Sequence, residues 1–176
     1  MSGVVKTLAR LRVPLGFAFA LAVFWWATPT AASLLWGAFV AALGEALRIW
    51  AAGHLIKSNE VTSSGPYRWF AHPLYVGSGL LGAGLAIASA SLIVSLLIAI
   101  YLAATIGAAV RSEEAFLRGR FGDQYEAWRR GRATSPEALA AASRRFSLAR
   151  AMANREYRAV AGVVAAMLLL LLKRSL

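Results

Sequence analysis

The sequence contains no cysteine, and that absence removes disulfides, thiolate zinc sites and cysteine nucleophiles together. Charge is scarce too: Asp, Glu, Lys and Arg make up 15% of the 176 residues, against 59% hydrophobic residues. A chain of this length suits one domain, and the balance points to lipid as its surroundings. Inside the apolar stretches charges are almost missing, which argues against a transport path through a membrane. What charge there is has one dominant sign, with 19 Lys and Arg against 8 Asp and Glu and a net charge of +11. Such an excess suits nucleic acid, but membrane proteins also accumulate Lys and Arg in cytoplasmic loops, so its distribution must decide.

Five apolar segments are legible: Val13 to Ala27, Ala31 to Trp50, Leu74 to Ala90, Ser91 to Val110 and Ala159 to Leu172. A helix of about 20 residues matches the hydrocarbon core. The short first and last segments are therefore expected to recruit flanking residues, the last from near Phe146. Basic Met1 to Arg12 gives the first segment a rival reading as a signal peptide, but Thr28, Pro29 and Thr30 look more like a tight hairpin than a cleavage site. Two connections are nearly free of charge, Thr28 to Thr30 and Ala88 to Ser91. Placing both outside leaves every Lys and Arg except Lys173 and Arg174 on the other side, including Lys6, Arg10, Arg12 and Lys57, and the positive-inside rule assigns that side to the cytoplasm. Lipid headgroups then explain the basic balance, and no nucleic-acid partner is expected.

The stretch between Trp50 and Leu74 is polar and aromatic, from Gly53 and His54 to Arg68 and Trp69. It cannot face lipid with its backbone unpaired, so it is expected at the interface or over the helix ends. Pro73 suits the opening of the next helix. That helix carries Gly77, Gly79, Gly82 and Gly84, whose meaning is close backbone approach, either to a neighbouring helix or to a ligand. The fourth segment turns polar at Arg111, Ser112, Glu113 and Glu114, and Phe116 to Trp128 is expected to continue as an interfacial helix broken near Gly122. Adjacent glutamates point about 100° apart on a helix, so one can face the bundle while the other meets solvent or Arg118. Glu45 and Arg48 are spaced for local pairing. Tyr67, Trp69, Tyr125 and Trp128 fit an aromatic belt, and 134–147 fits a basic interfacial helix. Asn154 to Arg158 is expected to open the last helix, with Asn154 and Arg158 on one face.

The run Gly65, Pro66, Tyr67, Arg68, Trp69, Phe70, Ala71, His72, Pro73, Leu74, Tyr75, Val76, Gly77, followed by Glu113, Glu114, Ala115, Phe116, Leu117 and then Phe121, Gly122, Tyr125, resembles the isoprenylcysteine carboxyl methyltransferase family. That family and the related phospholipid methyltransferases are small helical membrane enzymes using S-adenosyl-L-methionine, with a pattern of Arg-His-Pro-x-Tyr-x-Gly and a later Glu-Glu. The resemblance extends from about Gly44 to Trp128. It departs at Ala71, where the family usually has Arg; Arg68, Arg111 and Arg155 are candidates to stand in.

The resemblance implies an all-α fold, an integral membrane bundle of about five transmembrane helices with a cytoplasmic-side cofactor pocket. Its single domain, 1–176, would comprise an N-terminal hairpin (1–52), a motif-bearing methyltransferase core (53–130) and a basic interfacial segment with the last helix (131–176). Tyr67, His72, Pro73, Tyr75, Gly77, Arg111, Glu113 and Glu114 would border the cofactor. His72 and Arg68 would act on the substrate; Arg155 or Arg158, in a stretch unusually polar just before an apolar run, is expected to join them by gripping an anionic group of substrate or cofactor, and no metal is expected. The partners implied are membrane lipids and a lipid-like or prenylated substrate; oligomeric state is not legible. The expected location is a bacterial inner membrane, crossed several times, with the N-terminus and large basic loop cytoplasmic.

Methyl transfer from a sulfonium requires in-line alignment and exclusion of water. A cofactor carrying a sulfonium, an ammonium and a carboxylate calls for acidic residues, aromatic faces and a basic or amide-rich spot. A carboxylate nucleophile needs no proton removed, whereas an amine needs a base, for which His72 or a glutamate is available. Two other functions fit less well. A sterol-type membrane reductase using NADPH shares a His-Pro and acidic pattern but has more helices. A non-catalytic scaffold has no need of Glu113 and Glu114 opposite a His-Pro helix start.

Overall fold

A computed structural model describes residues 21–56, 61–130 and 142–176. Among the described residues there are helices and no strands: α1 (Ala31–His54), a 3-10 turn (Gly65–Arg68), α2 (Pro73–Ser89), α3 (Leu92–Arg129), α4 (Leu148–Ala153) and α5 (Tyr157–Ser175). Residues 21–26 are also helical. The start of the first apolar segment, the basic N-terminus with Lys6, Arg10 and Arg12, Lys57 and most of 134–147 lie outside the described residues. Helices α1 and α3 are long and apolar enough to cross a membrane, and α2 is a shorter apolar helix.

The uncharged turns cap the helices at one end of the bundle. Thr30 closes a capping box with Ser33, its Oγ1 accepting from Ser33 N at 3.0 Å while Ser33 Oγ accepts from Thr30 N at 2.9 Å. Ser33 Oγ also donates to Ala88 O at 3.1 Å, and Thr28 N to Ser89 O at 2.8 Å, fastening the start of α1 to the end of α2. Lys173 of α5 donates to the carbonyls of Phe24 and Trp25 at the same end. A small core of Ala27, Ala88, Val94, Ile98 and Leu170 lies beside these bonds.

Glycines set the α1–α2 contact. A Cβ on Gly37 would fall 2.5 Å from Gly84 O, and one on Gly44 2.8 Å from Gly77 O, so the two main chains touch as in small-residue membrane packing. Gly82 meets Leu102 and Ile98 of α3, while Gly79 has nothing within 4 Å. Packing therefore accounts for Gly77, Gly82 and Gly84, and the sequence reading overlooked their counterparts Gly37 and Gly44.

Helix α3 runs past Val110 without a stop, through Glu113 and Glu114, and turns back at Gly122, where φ is 44° and ψ −117°. The turn brings Glu126 to 3.2 Å from Arg118 and Arg129 to 3.8 Å from Glu114. The last helix does not begin near Phe146. Residues 144–147 are non-helical, α4 ends at Ala153, and the three-residue joint Asn154–Glu156 precedes α5. Arg155 holds the joint open with φ at 63°. Asn154 and Arg158 thus share no helix face. Instead Asn154 Nδ2 donates to Ala52 O at 2.9 Å and Leu55 O at 3.0 Å, satisfying orphan carbonyls at the end of α1.

Large apolar side chains lie exposed along the helices, among them Leu35, Trp36, Phe39, Ile93, Leu96, Ile100, Leu168 and Leu172. So many exposed large apolar side chains along the helices suit contact with lipid or protein.

Candidate active site

At the end opposite the uncharged turns, the chain after α1 folds back over the helix ends. His54 Nδ1 lies 2.9 Å from the Oγ of fully buried Ser64, and Gly65, at φ 58°, brings its backbone against the His54 ring. A Cβ on Gly65 would fall 2.5 Å from that ring. This packing seats Tyr67, only 8% exposed, and delivers the chain to His72, the residue before Pro73 at the N-terminus of α2.

His72 makes no side-chain cap for α2; its imidazole reaches across to α3. Nδ1 lies 3.6 Å from Glu113 Oε2 and Nε2 3.5 Å from Glu114 Oε1, and the ring is tilted beside Tyr75 at a centroid distance of 5.8 Å. The hydrogen bond with Glu113 raises the His72 pKa above its usual 6.5 and burial opposes it, while the charge of Glu113 and the bond and charge of Glu114 add to the rise. Burial, helped by the charge of Glu113, pushes the Tyr67 phenol up, so it remains a hydroxyl at neutral pH.

The two glutamates divide their work. Glu114 also receives Arg118 at 3.2 Å and Arg129 at 3.8 Å, and lies behind the imidazole. Glu113 lines a cavity of about 820 Å³ with Tyr67, His72, Tyr75, Trp128, Arg155 and Arg158, a volume within the range of small-molecule sites. Ala71 is in the same wall.

The other expected site residues lie elsewhere. Arg68 is exposed and donates from Nη2 to Ala142 O at 2.8 Å, outside the cavity lining. Arg111 is exposed and also outside it. Pro73 is buried at the start of α2, and Gly77 is buried against Gly44 and Arg48 of α1. Of the arginines proposed to stand in for the residue missing at Ala71, Arg155 reaches the cavity, and Arg158 joins it there. The aromatic belt is corrected in part: Tyr67 and Tyr125 are buried, at 8% and 1% exposure, and Trp128 lines the cavity, whereas Trp69 is exposed.

Sequence reasoning missed Arg48 and Glu156. Arg48 Nε lies 2.6 Å from Glu156 Oε1 and 4.0 Å from Glu45 Oε2, so the local i,i+3 partner is the more distant. Arg48 Nη1 also donates to Leu74 O at 3.3 Å and to Ser78 Oγ. The signal available was depth: a charge within an apolar helix requires a partner, and Glu156 is the acid immediately before the last apolar run. Among the described residues, no group of three or more His, Cys, Asp or Glu could hold a metal ion.

An acid- and arginine-lined cavity thus lies at one end of an all-helical bundle, two of whose helices are long and apolar enough to cross a membrane. The chain belongs to the phospholipid methyltransferase family, whose model matches residues 18–124, and the resemblance carried by His72–Gly77 and Glu113–Glu114 is borne out at that level. It is 34% identical over 114 residues to the cobalt-zinc-cadmium resistance protein CzcN of Cupriavidus metallidurans, covering 63% of this chain and 51% of that protein. The chain thus spans about half the length of the curated relative it matches. No solved structure matches. The matched family is described as one of phospholipid methyltransferases.

Proposed function

We propose that the chain transfers a methyl group from S-adenosylmethionine to an amphiphile held in the bilayer, in the manner of the isoprenylcysteine carboxyl methyltransferases and their lipid-methylating relatives. The observation that carries this reading is the convergence of His72, Tyr75 and Glu113 with Arg155 and Arg158 on one cavity. S-adenosylmethionine, when bound, supplies an electrophilic methyl carbon.

The residues present fit that molecule. Glu113 offers a carboxylate to its ammonium, and the faces of Tyr75 and Trp128 suit a sulfonium through cation–π attraction. Arg155 suits its carboxylate. His72, pinned between Glu113 and Glu114, fixes where the Glu113 charge sits. Tyr67 and the apolar wall of Phe116 and Leu117 exclude water, as alignment of a nucleophile requires. Arg158 faces an anionic part of the substrate. If the nucleophile is an amine, its proton passes to the His72–Glu113 pair; a carboxylate needs no such step. On this reading the 53–130 core supplies His72, Tyr75 and Glu113, the 131–176 segment adds Arg155 and Arg158, and a five-span topology with its basic loops in the cytoplasm would put the site at the cytoplasmic face.

Heat stability of the purified protein with added ligand tests this reading. Protection by S-adenosylhomocysteine and none by NADPH is expected; the reverse would establish the reductase, and protection by neither would favour a scaffold. Mass spectrometry of membrane lipids incubated with methyl-labelled cofactor then identifies the substrate.

A further inference from the structure

Helix α4 is built the wrong way round for an element in water. Leu148 and Met152, one turn apart on it, are 63% and 52% exposed, while Ala151 is buried. Arg150 turns inward, where Nη1 donates to Gly53 O at the end of α1 and to Arg145 O at 3.2 Å. Just before the helix, exposed Phe146 lies beside the His54 ring at a centroid distance of 6.2 Å. A short element that points Leu and Met outward and draws its arginine inward leaves apolar surface in water; against acyl chains the same arrangement buries both side chains.

This face is also cationic. From Ala138 to Arg155 the sequence holds four arginines and no acid. Arg68 reaches over from the 3-10 turn to donate to Ala142 O at 2.8 Å, and the charges of Arg150, Arg68 and Arg144 all act on the one ring of His54. The described ion pairs engage Arg48, His72, Arg118 and Arg129; among the described residues no acid pairs with Arg68 or Arg150. Their bonds go to carbonyl oxygens, which leave the full positive charge in place, and each guanidinium keeps further N–H groups for an anion. Like charges gathered this way repel, and an anion brought among them relieves the repulsion. Neither arginine lines the large cavity, so the patch is separate from the proposed methyl-transfer site.

We infer that this face is a binding site for an anionic phospholipid, its phosphate held by Arg68 and Arg150 with Arg144 and Arg145 beside them, and its acyl chains lying along Leu148 and Met152. The chemistry selects this occupant. Guanidinium groups match phosphate oxygens in pairs. A soluble phosphate would use the arginines and leave Leu148, Met152 and Phe146 in water, and a zwitterionic lipid would bring a cation of its own among the guanidiniums. The site lies where α1 ends, at the depth at which basic side chains meet headgroups. Its occupancy does not depend on what the cavity does.

The test uses the full chain in phosphatidylcholine nanodiscs carrying one of two diazirine probes with identical acyl chains, phosphatidylglycerol or phosphatidylcholine. Cross-linked peptides are read by mass spectrometry. Phosphatidylglycerol is expected to label 142–154 about fivefold or more above phosphatidylcholine, the factor that one basic side chain contributes at an anionic lipid surface. Arg68→Gln/Arg150→Gln should bring the two probes level, with the fold retained because Gly53 O keeps the Ser147 amide. Arg120→Gln/Arg130→Gln, which removes the same charge from other exposed positions, should leave the preference intact. Leu148→Ser/Met152→Ser should lower labelling by both probes, and excess inorganic phosphate should displace neither. Equal labelling in the unsubstituted protein overturns the inference. So does a preference that the Arg120/Arg130 variant reduces as much as the Arg68/Arg150 variant, which would reduce the effect to net charge. Displacement by inorganic phosphate would assign the arginines to a soluble anion and overturn the lipid as occupant. Should the Arg68/Arg150 variant fail to fold, Arg68→Gln alone decides: a preference lowered about fivefold supports the site, and an unchanged one sinks it.

Discussion

His72 Nδ1 lies 3.6 Å from Glu113 Oε2, joining the start of α2 to the polar end of α3. Because this contact and its neighbour Glu114 raise the His72 pKa, the folded state favours the imidazolium. Its stabilisation is complete below the ordinary histidine value of 6.5 and is lost as pH rises through the raised value. Melting temperature should therefore fall across that window in the unsubstituted protein. In His72→Gln the fall should be absent; a profile of unchanged shape would show that another group titrates.

Glu113→Gln removes the carboxylate that faces the cavity while keeping its shape. Affinity for S-adenosylhomocysteine, measured by isothermal titration, is expected to drop about tenfold or more, as for loss of a charged hydrogen bond. Arg118→Ala, whose guanidinium serves Glu114 and Glu126 on an exposed surface, should change that affinity far less.

Breaking the Arg48–Glu156 pair strands a buried charge. Arg48→Met should cost about 3–5 kcal/mol of stability, and the double variant Arg48→Met/Glu156→Met should recover much of it. Equilibrium unfolding in mild detergent reads both. If the double variant is no better than the single, the hydrogen bonds of Arg48 to Leu74 and Ser78 are the larger contribution.

Glycine substitutions separate packing from mere composition. Gly44→Leu forces a side chain into the Gly77 backbone and should cost about 1–3 kcal/mol by overpacking. Gly79→Ala meets nothing within 4 Å, and should be neutral or stabilising by up to about 1 kcal/mol, the usual gain of Ala over Gly in a helix. Thermal melts of the two variants side by side give the comparison.

Gly122→Ala places a Cβ at φ 44° and ψ −117°, a conformation that costs a non-glycine residue about 1–3 kcal/mol. Straightening the helix there would carry Trp128 away from the cavity and Arg129 from Glu114. Weaker S-adenosylhomocysteine binding with little loss of helix by circular dichroism is the expected result.

The apolar runs foretold α1, α2 and the body of α3 to within a few residues, because long periodicity-free hydrophobic stretches leave a chain in lipid little choice but helix. Pro73, Gly122 and the Thr28–Thr30 turn were also legible, each through its own backbone chemistry. The meeting of His72 with Glu113 and Glu114 was legible only through the resemblance, since nothing local dictates how α2 and α3 align. Partners that depend on the register between helices, Gly44 with Gly77 or Arg48 with Glu156, carry no signal in either segment alone. The joint between α4 and α5 escaped because it contains neither Gly nor Pro. Tyr67 and Tyr125 escaped because an aromatic residue near a membrane surface reads the same whether it faces lipid or the interior.

At that joint three consecutive residues have separate duties. Asn154 latches onto α1 and Glu156 holds Arg48, while Arg155, at φ 63°, occupies a backbone conformation in which glycine or asparagine is at ease and arginine is not. Its two neighbours do the fastening, so its side chain can be exchanged without unlatching the helix behind it. If Arg155 grips an anion as proposed, that preference can change through one codon with the scaffold untouched.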